Sequence, residues 1–145
     1  MLQTAHPTYA LKVTGHSLGA NWAQLMSMYL IASGIKVDHM INFGQMRIGN
    51  EAYAAYSEEV FANQFRVVHH QDCIPHFPPM KMGYHHQTTE MYEDVNGDIR
   101  QCNATGEDPT CGDQWKIHEW NCNDHHYYLG KLIDFCTTRP SESFL

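Results

Sequence analysis

The sequence predicts an α/β fold, with parallel strands joined by crossover helices and an antiparallel hairpin after them. Two observations carry this prediction. Short runs with period-two alternation take turns with longer stretches of helical period. Asn96-Gly97 then stands between two strand-like runs, the strongest short hairpin signal in the chain. The 145 residues, 43% of them hydrophobic, suffice for one globular domain with its own core. No internal repeat, low-complexity tract or interdomain linker divides them.

In chain order, Tyr9–Thr14 alternates Tyr9, Leu11 and Val13 with Ala10, Lys12 and Thr14 and reads as the first strand. The turn Gly15-His16-Ser17-Leu18-Gly19 leads into a helix over Ala20–Ser33, where Trp22, Leu25, Met26, Tyr29 and Leu30 recur at helical spacing until Gly34. Val37–Phe43 alternates again. Gly44–Asn50 turns, and Asn50 is placed to cap the Ala-rich helix Glu51–Asn63. Phe65–His69 gives a third strand through Arg66-Val67-Val68, closing in the polar cluster His70-Gln71-Asp72 before Pro75, Pro78 and Pro79. Tyr84–Val95 and Asp98–Cys102 form the hairpin. Tyr127–Cys136 reads as a short helix with Tyr128, Leu129, Leu132 and Ile133 on one face. Strands alternating with helices imply right-handed parallel units, whose chemistry collects at the carboxyl ends of the strands.

Composition narrows the function classes. A net charge of −7 with nine Lys and Arg argues against a nucleic-acid partner. Eleven histidines make the charge sensitive to pH, so an acidic compartment would neutralise the chain or reverse its sign. No stretch approaches the roughly 20 apolar residues of a transmembrane helix, and Met1–His6 lacks the layout of a secretory signal. Five cysteines and the sequon Asn103-Ala104-Thr105 nevertheless favour an oxidising, glycosylating route: a secreted protein or one of the endolysosomal or phagosomal lumen. Cys102 and Cys111 bracket a short loop and are expected to pair. Cys122 with Cys136 is one further pairing, and Cys136 with a cysteine upstream of Met1 is the other. Cys73 reads as a small buried hydrophobe.

The turn between the first strand and helix carries the chemistry. G-x-S-x-G in that setting reads as a nucleophile elbow, with Ser17 in strained backbone geometry and Gly15 and Gly19 small where strand and helix come close. A serine hydroxyl needs a base to take its proton and an acid to orient that base. In the order Ser, acid, His, Asp72 and His125 satisfy the requirement. Asp94, Asp98 and Asp124 are the other candidate acids, and His126 is the rival base. His69, His70, His76, His85 and His86 read as strand-end or surface residues. Zinc held by the paired histidines is a separate reading, which lacks H-E-x-x-H or a closely spaced C-x-x-C.

With these residues assembled, the chain resembles the class 3 lipases, the fungal-lipase-like branch of the α/β-hydrolases. Four ordered motifs carry the resemblance. They are Val13-Thr14-Gly15-His16-Ser17-Leu18-Gly19-Ala20; Asn42-Phe43-Gly44-Gln45 with Arg47-Ile48-Gly49-Asn50; Asp72-Cys73-Ile74-Pro75-His76-Phe77-Pro78-Pro79; and Asp124-His125 with Tyr128-Leu129-Gly130. Met46 stands where a proline is common, and Cys73 where an aliphatic residue or proline is usual. The resemblance implies the C-terminal portion of an α/β-hydrolase fold, residues 1–145 forming one partial domain without the strands and lid that precede the elbow. It further implies a serine hydrolase that cleaves carboxylic esters, lipid esters foremost, through Ser17, Asp72 and His125 and an acyl-enzyme. The backbone N–H of Leu18 would be one oxyanion donor, and the second would come from upstream of the elbow. No cofactor is implied; the partners are a lipid or other ester and, transiently, a lipid interface. Triacylglycerol, phospholipid and feruloyl-type esters all fit. The alternative is a weak or inactive lipase-fold fragment that binds lipid or a partner. The first strand is expected to leave one sheet edge bare and the chain to be poorly soluble alone.

Overall fold

The computed structural model describes residue 6, residues 8–87 and residues 89–133. Five strands form one sheet in the order β1 (Lys12–His16), β2 (His39–Phe43), β3 (Gln64–His69), β4 (Glu90–Glu93) and β5 (Ile99–Gln101). β1 to β4 run parallel, and β5 returns antiparallel to β4. Helix α1 (Leu18–Ala32) joins β1 to β2, and α2 (Glu51–Val60) joins β2 to β3. Among the described residues β1 pairs with β2 alone. None of the described helices is long and apolar enough to cross a membrane.

The alternating runs form strands as expected, within a few residues of their sequence bounds, although the long run at Tyr84–Val95 yields a strand only over Glu90–Glu93. Asn50 caps α2, its side-chain oxygen accepting from Tyr53 N–H at 2.9 Å. Helix α1 stops where Gly34 takes φ +76°, with Ile35 N–H returning to Leu30 O at 2.9 Å.

Two features of the packing differ from the sequence reading. In α1 the buried residues are Ala20, Ala23, Gln24 and Ser27, whereas Trp22 and Tyr29 are 65% and 67% exposed, with Leu25 and Met26 also outward. The cause is close approach. A Cβ on Gly15 would collide with the carbonyl of Gly19, so the first turn of the helix lies against the strand with only Ala20 and Ala23 covered there, while Gln24 and Ser27 are buried further along. The need for glycine falls on Gly15; a Cβ on Gly19 meets nothing within 4 Å among the described residues.

The second difference lies near the end of the chain. Residues 127–133 form a hairpin of β6 (Tyr127–Tyr128) and β7 (Lys131–Leu132), not a helix. Leu129 and Gly130 between them have φ +53° and +67°, the double positive-φ turn that suits two-residue hairpins. Cys136, and with it the Cys122–Cys136 alternative, involves a residue outside those described. Cys122 instead pairs with Cys73, so Cys73 is a half-cystine and not a lone buried thiol. Cys102–Cys111 forms as expected and joins Val68 and Tyr92 in one apolar cluster. A second cluster gathers Val37, Met40 and Phe61 with Leu11, Val13, Met28 and Ile31.

Polar groups fill much of the remaining interior. Arg47 forks onto Glu107 at 2.7 and 2.6 Å and donates to His76 O at 2.7 Å, which anchors the segment following Asp72. His76 and His86 were expected at strand ends or the surface but are buried, His76 stacked on Trp120 with ring centroids 4.4 Å apart. His86 Nε2 donates to Pro75 O at 2.8 Å, and burial followed by the charge of Arg66 pushes its pKa well below the ordinary value.

That shift fixes a pH dependence. Unfolded, the imidazole takes up a proton near pH 6.5; folded, it does not until a much lower pH. The stability it confers is present above pH 6.5 and is lost as pH falls below it, at a limiting slope of about 1.4 kcal/mol per pH unit. The melting temperature is expected to fall between pH 7 and pH 5 and to fall less steeply in His86→Gln. Parallel pH profiles for the two proteins would refute this.

Candidate active site

Ser17 sits at the carboxyl end of β1, between the strand and α1. Its φ of +57° with ψ −131° is a costly conformation for a residue with a side chain, as an elbow requires. Its N–H donates to Phe43 O at 2.9 Å, and its carbonyl accepts from Ala20 N–H at 2.9 Å. Leu18 opens α1, so its backbone N–H is one of the helix-terminal donors without an intrahelical acceptor.

Asp72 follows β3 and is completely buried. One carboxylate oxygen accepts from Ile74 N–H at 2.8 Å; the other accepts from His125 Nδ1 at 2.8 Å and from the Tyr128 hydroxyl at 2.5 Å. Burial, then the Asp72 charge, pushes the Tyr128 phenol well above its ordinary pKa, so it stays a donor. A carboxylate can only accept, which assigns the proton to His125 Nδ1 and leaves Nε2 with its lone pair. Nε2 is buried and has no hydrogen-bond partner among the described residues.

The two loops that bring this pair together are stitched along their length. Gln71 O accepts from Asn121 N–H at 2.8 Å. The Asp124 carboxylate accepts from His70 Nδ1 at 2.9 Å and from Gln71 N–H at 3.1 Å, and the Asp124 carbonyl accepts from His69 Nδ1 at 3.1 Å. Cys73–Cys122 adds a covalent rung immediately after Asp72. Asp124 therefore holds the His125 loop to the Asp72 loop, Asp94 caps the turn of the β4–β5 hairpin through Asn96 and Asp98 N–H, and neither competes for His125. His126 is exposed.

Three residues that sequence reasoning passed over complete the surroundings. The His16 ring lies 4.4 Å from that of His125, and His16 Nε2 donates to the His125 carbonyl at 2.8 Å. Burial lowers the His16 pKa. Tyr128 is the second donor to Asp72. Gly44, at φ +57°, lies against the His125 ring, where a Cβ would come within 2.7 Å of His125 Cε1 and 2.9 Å of the Tyr128 hydroxyl. The one sequence signal for His16 was its place beside the serine of the elbow. Of the three residues expected to act together, Asp72 and His125 are in contact, and Ser17 stands one residue from the ring that lies on His125. Among the described residues, one grouping has the donor types of a metal site, Glu90, Cys102 and Cys111. Both of its sulfurs are spent in a disulfide.

Comparison with known proteins agrees with this architecture. The family Lipase (class 3) matches residues 1–82. A secreted mono- and diacylglycerol lipase of Fusarium solani is 36% identical over 92 residues, covering 63% of this chain and 27% of its own. Lipase II from Rhizopus niveus superposes with a TM-score of 0.81 at 30% identity, over 90% of this chain and 51% of the other. A triacylglycerol lipase described as having a serine protease triad at its catalytic centre gives a TM-score of 0.83 at 27% identity, over 91% of this chain and 52% of the other. The chain thus spans about a quarter of the first relative and about half of the two solved ones. The sheet, its crossover helices and the elbow are those of an α/β-hydrolase, and the chain belongs to the class 3 lipase family.

Proposed function

We propose that this chain carries the ester-cleaving centre of a lipase, with Ser17 as nucleophile, His125 as base and Asp72 as the acid that orients it. The observation that carries the reading is the buried Asp72–His125 hydrogen bond, which leaves Nε2 as an unpartnered proton acceptor. Ser17 Oγ attacks the ester carbonyl while His125 Nε2 takes its proton, and Asp72 stabilises the imidazolium. His125 then returns the proton to the departing alcohol, and water releases the acid from the acyl-enzyme by the same relay. The Leu18 N–H donates to the oxyanion at the positive end of α1. Acylglycerol esters are the proposed substrate class, supported by what the relatives are named for cleaving. Two disulfides support a secreted or lumenal site of action.

A fluorophosphonate probe is expected to label Ser17. Ser17→Ala should remove both labelling and turnover of a p-nitrophenyl ester, a loss on the order of 10⁶. Turnover that survives the substitution would sink the assignment. Binding of lipid vesicles with no labelling of the parent protein would favour a lipid-binding role in its place.

A further inference from the structure

We infer that Asn103 carries an N-linked glycan at the end of the sheet remote from Ser17. Asn103-Ala104-Thr105 satisfies the acceptor pattern, and all three residues are exposed. The backbone there is held while the reactive group is left free. Asn103 N–H donates to Asp108 at 2.7 Å, and Asn103 Oδ1 accepts from the Thr105 hydroxyl at 2.6 Å and from its N–H at 3.0 Å. No described residue accepts from Asn103 Nδ2. The sequon opens directly after Cys102, inside the loop that Cys102–Cys111 closes, and the second disulfide independently requires the oxidising route on which such glycans are added.

Topology fixes where the sugar stands. β5 runs against β4, with Ile99 opposite Glu93 and Gln101 opposite Met91. The chain therefore leaves β5 at the amino ends of the parallel strands, whereas Ser17 and Asp72 follow the carboxyl ends of β1 and β3. A glycan on Asn103 therefore leaves the fold at the opposite end of the sheet. In the transfer, Asn103 Nδ2 bonds to the anomeric carbon of a lipid-linked oligosaccharide pyrophosphate. The amide proton is lost, and the lipid pyrophosphate leaves with the electrons of the broken C–O bond. The inference stands whether or not Ser17 is a nucleophile.

The test is to direct the full chain into the secretory pathway of a eukaryotic cell with a cleavable leader and to follow total lumenal protein, secreted or retained. Digestion with peptide N-glycosidase is expected to increase its gel mobility by one step and to leave position 103 as aspartate in the peptide mass spectrum. Asn103→Gln and Thr105→Ala should each abolish the step, while Thr105→Ser keeps it. An unmodified Asn103 peptide from lumenal protein would overturn the inference, as would a step that persists in Asn103→Gln.

Discussion

Gly44→Ala is expected to slow labelling of Ser17 and ester turnover about 100-fold while the protein stays folded. An added Cβ would lie 2.7 Å from His125 Cε1 and 2.8 Å from Nδ1, too close for carbon or nitrogen, so the imidazole or the strand end must move. Misplacement of a catalytic group by about 1 Å costs on the order of 10² in rate. Gly44 also has φ +57°, where a residue with a side chain loses roughly 1–2 kcal/mol. Gly34→Ala separates the two effects. Gly34 has φ +76° but nothing within 4 Å of its Cβ position, so that variant should lose stability alone. Second-order labelling rate constants with thermal melts decide the matter, and equal labelling rates for the two variants would remove the role given to Gly44.

Removing the Cys73–Cys122 bridge as the pair Cys73→Val and Cys122→Ser should give the largest stability loss. The bridge closes a sequence separation of 49 residues, for which the chain-entropy treatment gives about 4 kcal/mol. For a chain of this size that corresponds to a melting temperature lower by about 10 °C. Because the bridge adjoins Asp72 and the His125 loop begins just beyond Cys122, the variant should also label Ser17 roughly tenfold more slowly at a temperature where it is fully folded, if the proposed relay holds. The hydrogen bonds of His70 and Gln71 to Asp124 remain, which keeps the loss from becoming total. A variant that melts with the parent would show the bridge to be idle.

The sequence displayed the parallel strands, the cap at Asn50, the elbow and the local Cys102–Cys111 pair, because each is written in a short window of residues. It also nominated Asp72 and His125 as acid and base of the proposed relay; the two side chains are hydrogen-bonded. What it concealed depended on distance along the chain. The spacing of Trp22, Leu25, Met26 and Tyr29 gave the period of α1 correctly, but periodicity does not tell which side a sheet will cover. The covered side is the one that bears Ala20, Ala23, Gln24 and Ser27. Tyr128, Leu129, Leu132 and Ile133 fit a helical period by coincidence, and the positive φ at Leu129, a residue that seldom adopts it, broke the pattern into a hairpin. Cys73 and Cys122 could not be matched because their loops meet only in the folded chain.

The stitched loops divide the site into two mechanical parts. Carboxylate and imidazole ride on one unit, riveted by a covalent bond and several polar ones, while the alcohol rides on β1 and α1 and meets that unit through the His16 ring. Shear between the units leaves the separation of Asp72 from His125 unchanged and alters the aim of Ser17 first. For the proposed relay, the soft coordinate is thus the reach of the Ser17 hydroxyl to the His125 ring, and heat, crowding of the elbow or a nearby substitution should register there before the Asp72–His125 pair itself loosens.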